Sequence, residues 1–203
     1  LGGQRIRLAV APPRCYTIDD ACRDAGGIGA AQAARRADAD PPRTAAIWGI
    51  GAQLYGLRRA GDGGIGDYTA LACLARHGAQ AGADALAISP THAMFSADAC
   101  KFSPYSPSSR LLLNIAHVDP AAAFGADALS SVLDSPRASG ERSLREAWAE
   151  AEALPLVDWP RALTLRLTVL RALYERFCVH ERASATPLAV QFDAFCAHGG
   201  HVL

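Results

Sequence analysis

Polar and apolar residues alternate from Arg5 to Ala11, the pattern of a half-buried strand, and Pro12-Pro13 ends it. The stretch from Asp19 to Arg43 is dense in Ala, Gly, Asp and Arg and closes on Pro41-Pro42, which reads as a surface connection. From Ala45 the pattern changes. Ala46 to Ile50 is a short apolar run suited to a buried strand, and a loop over Arg58 to Gly66 follows. Asp67 is placed to cap a helix whose apolar face is Tyr68, Leu71, Leu74 and Ala75, with Gly82 as its stop. Asp84 to Ser89 then predicts a second buried strand. Two all-apolar strands around one helix make a βαβ unit, and hence a parallel sheet.

A long loop follows, from Pro90 to about Arg110, punctuated by Pro90, Pro104, Pro107 and several serines. Loops of this length in compact domains are usually functional or disordered. The remainder is mostly helical. Glu141 to Ala153 carries Leu144, Trp148 and Ala151 on one face, and Pro160 sits where a first-turn proline belongs. Leu163, Leu167, Leu170, Leu173, Tyr174 and Phe177 form a stripe to about His180. A further helix runs from Leu188 to Cys196 before Gly199-Gly200. Such stripes are core signals. The chain thus divides into the end of a β-type domain over 1–18, a linker over 19–43 and a main α/β domain over 44–203.

Charge and cysteine content narrow the function. The 203 residues carry 20 basic and 20 acidic side chains and no basic patch, which argues against nucleic acid as a partner. No uncharged apolar run is long enough to cross a bilayer. The opening Leu1-Gly2-Gly3-Gln4-Arg5 has neither an initiator Met nor a leader, so the sequence is expected to begin inside a longer protein. Cys15, Cys22, Cys73, Cys100, Cys178 and Cys196 are widely spread with no Cys-x-x-Cys pair, which predicts reduced thiols in a cytoplasmic protein. No His is placed to activate Cys100 as a nucleophile.

Several motifs compete for a function. Gly61-Asp62-Gly63-Gly64-Ile65-Gly66 matches the dinucleotide fingerprint, but it stands away from the preceding strand, and Ser89-Pro90 occupies the end of the second strand where a ribose-binding acid belongs. His198-Gly199-Gly200-His201 has no third metal ligand nearby, so a polar helix end is the expected reading and no metal is assigned. His92 and His117 flank the long loop, where a hydrogen-bonding histidine is the default. Ser103-Pro104-Tyr105-Ser106-Pro107-Ser108-Ser109-Arg110 combines stiff turns, hydroxyls and a flat ring with a polar tip. Sugar sites use that mixture, because an aromatic face covers the C–H patch of a pyranose while polar groups read its hydroxyls.

The run Trp48-Gly49-Ile50-Gly51-Ala52-Gln53-Leu54-Tyr55-Gly56-Leu57-Arg58, then Gly64 to Asp67, Pro90 to Phe95, and Ser103 to Arg110 with Asn114 and Asp119-Pro120, resembles the 4-α-glucanotransferases of glycoside hydrolase family 77. The order and spacing of these blocks agree over Trp48 to Pro120. Ala9 to Tyr16 resembles the join from the N-terminal β-domain of longer members. Two positions depart from the family pattern: Ile115 follows Asn114 where the family has Pro, and Gly56 replaces Ser.

The resemblance implies the first part of a (β/α)8 TIM barrel, preceded by the last strand of an N-terminal β-domain. It also implies segment transfer between α-1,4-glucans by a retaining double displacement, in which an Asp nucleophile and a Glu acid act in turn. The implied substrate-binding residues are Tyr105, beside the sugar at the cleavage point, with Ser103, Asn114 and His92. No organic cofactor is implied. The family nucleophile lies in an Arg-x-Asp block on a later strand, and no aspartate here stands in such a block on a strand. The six glutamates (Glu141, Glu146, Glu150, Glu152, Glu175 and Glu181) lie in or beside late helices, spaced as solvated faces. The catalytic carboxylates are therefore expected to lie outside these residues, leaving a segment inactive by itself. A non-catalytic carbohydrate-binding module is the alternative, and a nucleotide-binding protein a third reading.

Overall fold

The computed structural model describes residues 13–17, 20, 48–136 and 142–198. The chain divides into two compact units, Leu1–Trp48 and Gly49–Leu203. In the first, Arg14 forks onto the Asp20 carboxylate at 2.5 and 2.7 Å. The Thr17 amide donates to the same carboxylate at 2.9 Å while the Asp20 amide donates back to the Thr17 hydroxyl at 3.4 Å, the reciprocal pairing of a capping box. The strand expected over Arg5 to Ala11 lies outside the described residues, as does the 19–43 connection apart from Asp20.

The second unit opens with the expected strand–helix–strand. β1 (Gly49–Ala52) and β2 (Ala85–Ile88) pair in parallel, Gly49 opposite Ala85 and Ala52 opposite Ile88. The helix between them, α1 (Tyr68–Gln80), begins where Asp67 accepts from the Ala70 amide at 2.9 Å. It ends before Gly82, whose φ of +87° no longer suits a helix. β1 lies further along the chain than its apolar run suggests, and Ala46 and Ile47 fall outside the described residues. A Cβ at Gly49 would stand 2.6 Å from the Ala85 carbonyl oxygen. The close approach of these two strands needs hydrogen at that position.

The expectation of buried strands is corrected. β2 is largely exposed and β1 alternates between exposed and half-buried residues, because among the described residues α1 is the element laid across this two-stranded pair. Its Gly78 faces the Ile50 methyl, where an added Cβ would come within 3.1 Å. An all-apolar strand signals that both faces prefer cover, and here both are not covered.

The long loop is less open than its composition suggests. β3 (His92–Ala93) pairs antiparallel with β4 (Ser109–Leu113), with an irregularity between His92 and Ala93, so residues 94–108 form an excursion closed at its base. A 3-10 turn (Ile115–His117) leads into the short helices α2 (Pro120–Phe124) and α3 (Ala126–Leu133). Then come α4 (Leu144–Ala153), α5 (Trp159–Phe177), a π-type turn (Cys178–Arg182) and α6 (Pro187–His198).

α5 is the spine of this unit. On one side Leu165, Val169 and Leu173 pack with Val132 and Leu133 of α3 and Leu144, Trp148 and Ala151 of α4. On the other, Ala162 and Leu163 meet Ile65 and Ala116. Burial of each large apolar side chain contributes about 2 kcal/mol before entropy is counted. Serving two clusters widens the buried arc of α5 beyond the predicted stripe. Leu165, Arg166 and Val169 are buried, whereas Tyr174 is exposed.

Candidate functional site

The glycine-rich turn before α1 is a packing device. Gly63 and Gly64 have φ of +57° and +99°, and an added Cβ would lie 2.5 Å from the Trp148 ring and 2.9 Å from Ala151 respectively. With α4 pressed against these glycines, the turn does not present the open cradle that a pyrophosphate requires. Asp62, fully buried, caps the turn by accepting from the Arg59 and Gly64 amides at 2.8 Å each. Arg58 pairs with it at 2.7 Å and also donates to the Glu152 carbonyl at 2.9 Å.

Arg59 joins two helix starts. Its guanidinium lies 2.7 Å from the carboxylates of Asp67, the cap of α1, and of Asp119, the cap of α2. Thr69 adds a 2.6 Å hydrogen bond to Asp119. Burial acts to raise the Asp119 carboxyl, but the Thr69 hydroxyl, the Ala122 and Ala121 amides and Arg59 outweigh it and hold it below its ordinary value. Asp62, Asp67 and Asp119 are thus committed to arginines and to backbone amides. None is free to attack a sugar.

His117 is also structural. It is buried, and its Nδ1 lies 2.9 Å from the Gly66 carbonyl oxygen, as expected of a donating imidazole. Burial lowers its pKa. His198 caps its own helix end at the Ala194 carbonyl, 2.6 Å away, while the rest of the His198–His201 motif lies outside the described residues. Among the described residues no group of three His, Cys, Asp or Glu could hold a metal. Cys15, Cys73, Cys100, Cys178 and Cys196 are free thiols.

The four residues singled out for sugar binding all belong to the β3–loop–β4 excursion, in two places. His92 and Asn114 stand at its base. His92 is on β3 opposite Leu113, and the next link outward is the Asn114 amide donating to the Thr91 carbonyl at 2.8 Å. Asn114 is only 5% exposed, and its Oδ1 accepts from the Ala116 amide at 3.0 Å, starting the 3-10 turn. Its observed work is to shape the backbone where Ile115 stands in place of Pro.

Ser103 and Tyr105 stand at the tip. The Ser106 amide donates to the Ser103 carbonyl at 3.1 Å, closing a four-residue turn with Pro104 at its second position, where the fixed φ of proline fits. Tyr105 occupies the third position and is 70% exposed. At the other end of the excursion, the Ser108 hydroxyl lies 3.0 and 2.8 Å from the Ala93 and Met94 carbonyl oxygens. An exposed ring on a proline-stiffened turn is a suitable platform for a pyranose face.

Sequence reasoning missed what seats this loop. Phe102 stacks on Trp159 with centroids 5.6 Å apart and planes 8° from parallel. Trp159 is gripped in turn by Tyr55 at 5.2 Å and by the edge of His117 at 6.3 Å. The signal available was one apolar ring in an otherwise polar loop tip, with no indication of its distant partner.

Comparison with known proteins agrees with these blocks. The sequence model of the 4-alpha-glucanotransferase family matches residues 52–203. A curated 4-alpha-glucanotransferase of Haemophilus influenzae is 33% identical over 141 residues, covering 64% of this chain and 18% of that protein. The chain thus spans well under a third of that relative's length. Among the described residues no helix is long and apolar enough to cross a membrane. With the family match running from the end of β1 through the loop of Ser103 and Tyr105 and on across the helices, the chain belongs to the 4-alpha-glucanotransferases of glycoside hydrolase family 77.

Proposed function

We propose that these residues supply part of the catalytic domain of an enzyme that transfers α-1,4-glucan segments between maltodextrin chains. The observation that carries the reading is the family match across the segment that presents Tyr105. In this reading β1–α1–β2 begins a (β/α)8 barrel, and the long loop follows a barrel strand, on the face where such barrels hold their sites. Tyr105 stacks on a glucosyl unit, Ser103 and His92 offer hydrogen bonds to its hydroxyls, and Asn114 holds the backbone that supports them.

The chemistry is a retaining double displacement. A carboxylate attacks the anomeric carbon as an acid protonates the departing sugar, and the covalent glucosyl unit then passes to the hydroxyl of a second glucan or to water. Asp62, Asp67 and Asp119 are engaged with arginines and backbone amides, and in this reading nucleophile and acid are other residues of the full-length protein. The reaction needs no metal or organic cofactor, and a cytoplasmic setting with maltodextrins as substrate completes the proposal.

The test is Tyr105→Ala in the full-length gene product. Loss of one ring–sugar stack is expected to raise the KM for maltotriose about tenfold, with Tyr105→Phe between that variant and wild type. An unchanged KM in Tyr105→Ala would remove the loop from the glucan site.

A further inference from the structure

The excursion of residues 94–108 is tied at its base by β3–β4 pairing and by Ser108. Between those ties it has local turns, closed at the Phe95, Asp98 and Ser103 carbonyls. Local turns fix the shape of a loop but not where it rests. A seat is supplied by Ala99, which packs against the cluster of Ile65, Ala116 and Leu163, and by Phe102, which lies flat on Trp159. Phe102 is still 43% exposed, so burial alone does not hold it, and its neighbour Ser103 begins the turn that presents Tyr105. Trp159 sits in the first turn of α5, beside the Asp158 cap that accepts from the Arg161 amide at 3.1 Å. One partner of the stack belongs to a helix and the other to the loop.

We propose that Trp159 is a positioning residue for glucan binding: through its stack on Phe102 it holds the Ser103–Tyr105 turn in the form that receives the sugar. This rests on the glucanotransferase reading and adds to it a residue that need not touch substrate. A loop released from Trp159 spends part of its time elsewhere, and apparent affinity falls by the fraction of time it is out of place. Because nucleophile and acid lie on other residues, the effect falls on KM rather than kcat.

Lys101 gives an independent reporter. It is the only lysine in the 203 residues, it adjoins Phe102, and its side chain is 63% exposed. Cleavage after Lys101 by a lysine-specific protease, identified by mass spectrometry of the fragments, reads the seating of this loop. Wild type, Phe102→Ala, Trp159→Leu and Trp159→Phe are compared in the full-length gene product. Phe102→Ala is expected to raise the KM for maltotriose about fivefold, leave kcat within about twofold, and speed cleavage after Lys101 about fivefold, as for loss of one aromatic pair. Trp159→Leu is expected to behave alike, whereas Trp159→Phe keeps a ring and stays near wild type. In active wild type, an unchanged KM or cleavage rate in Phe102→Ala overturns the proposal, and so does a Trp159→Phe as impaired as Trp159→Leu. A wild type that neither binds nor disproportionates maltotriose defeats the glucanotransferase reading, and the positioning role falls with it.

Discussion

The guanidinium of Arg166 donates to the backbone carbonyl of Asp62 at 2.5 Å, joining the middle of α5 to the glycine-rich turn before α1. The same side chain reaches the Val118 carbonyl at 2.7 Å and lies over the Trp148 ring at 5.1 Å. It is 1% exposed. Burial pulls its pKa down to about 10, opposed by Asp67, Asp62 and Asp119, so it stays charged at neutral pH. The Val118 and Ile65 carbonyl oxygens accept its protons at 2.7 and 3.3 Å, while the Asp62 carbonyl also accepts from the Ile65 amide.

Arg166→Met is therefore expected to cost about 3 kcal/mol, through the stranded carbonyls, and to lower the melting temperature by about 10 °C. Arg145, by contrast, pairs with Asp134 where both side chains are about half exposed. Arg145→Ala should leave the melting temperature nearly unchanged, because solvent screens such pairs. Thermal denaturation of the two variants side by side checks the contrast. Equal losses would show that the buried guanidinium is not the connector described.

Much of this unit could be read from local sequence. Asp67 before an apolar face gave the start of α1, and Pro160 gave the first turn of α5, because caps and proline act within a few residues of where they stand. The antiparallel closure of the long loop was not readable, since β3 has two residues and no periodicity to detect. Nor was Arg166, which hydropathy assigns to solvent and which is buried by acceptors from two distant segments. The prolines marked the Ser103–Arg110 segment as stiff, but the turn that joins Ser103 to Tyr105 came from the structure. The seat beneath them, Trp159, became visible only once α5 was packed.

Gly63 makes a sharper point about the glycine loop. With φ at +57° and the Trp148 ring where a Cβ would go, Gly63→Ala meets both backbone strain and a clash. A loss of about 2–3 kcal/mol is expected. Gly82, at φ +87° with open space around it, should lose only about 1 kcal/mol in Gly82→Ala. Chemical denaturation separates them. Equal costs would mean that α4 does not press on the turn.

Acid should weaken this unit through His117. Burial holds the folded imidazole below its ordinary value of 6.5, with the Gly66 carbonyl and Asp67 opposing that shift and Arg166 adding to it. As pH falls through 6.5 the unfolded chain takes up a proton that the folded state refuses, so stability is present above that pH and drains below it. The slope from this group is at most about 1.4 kcal/mol per pH unit. His117→Asn keeps a donor for the Gly66 carbonyl and does not titrate. Its stability is expected to be lower at pH 7.5 but flatter than wild type down to pH 5.5. Parallel curves for the two proteins would contradict the assignment.

The central claim is tested most directly by incubating the full-length gene product with maltotriose and following free glucose together with longer maltooligosaccharides. The account predicts both, in proportions that reflect transfer of glucan segments between chains. Glucose without longer chains would mean hydrolysis rather than transfer, and no change in the maltotriose at all would contradict the assignment of this chain to a working glucanotransferase.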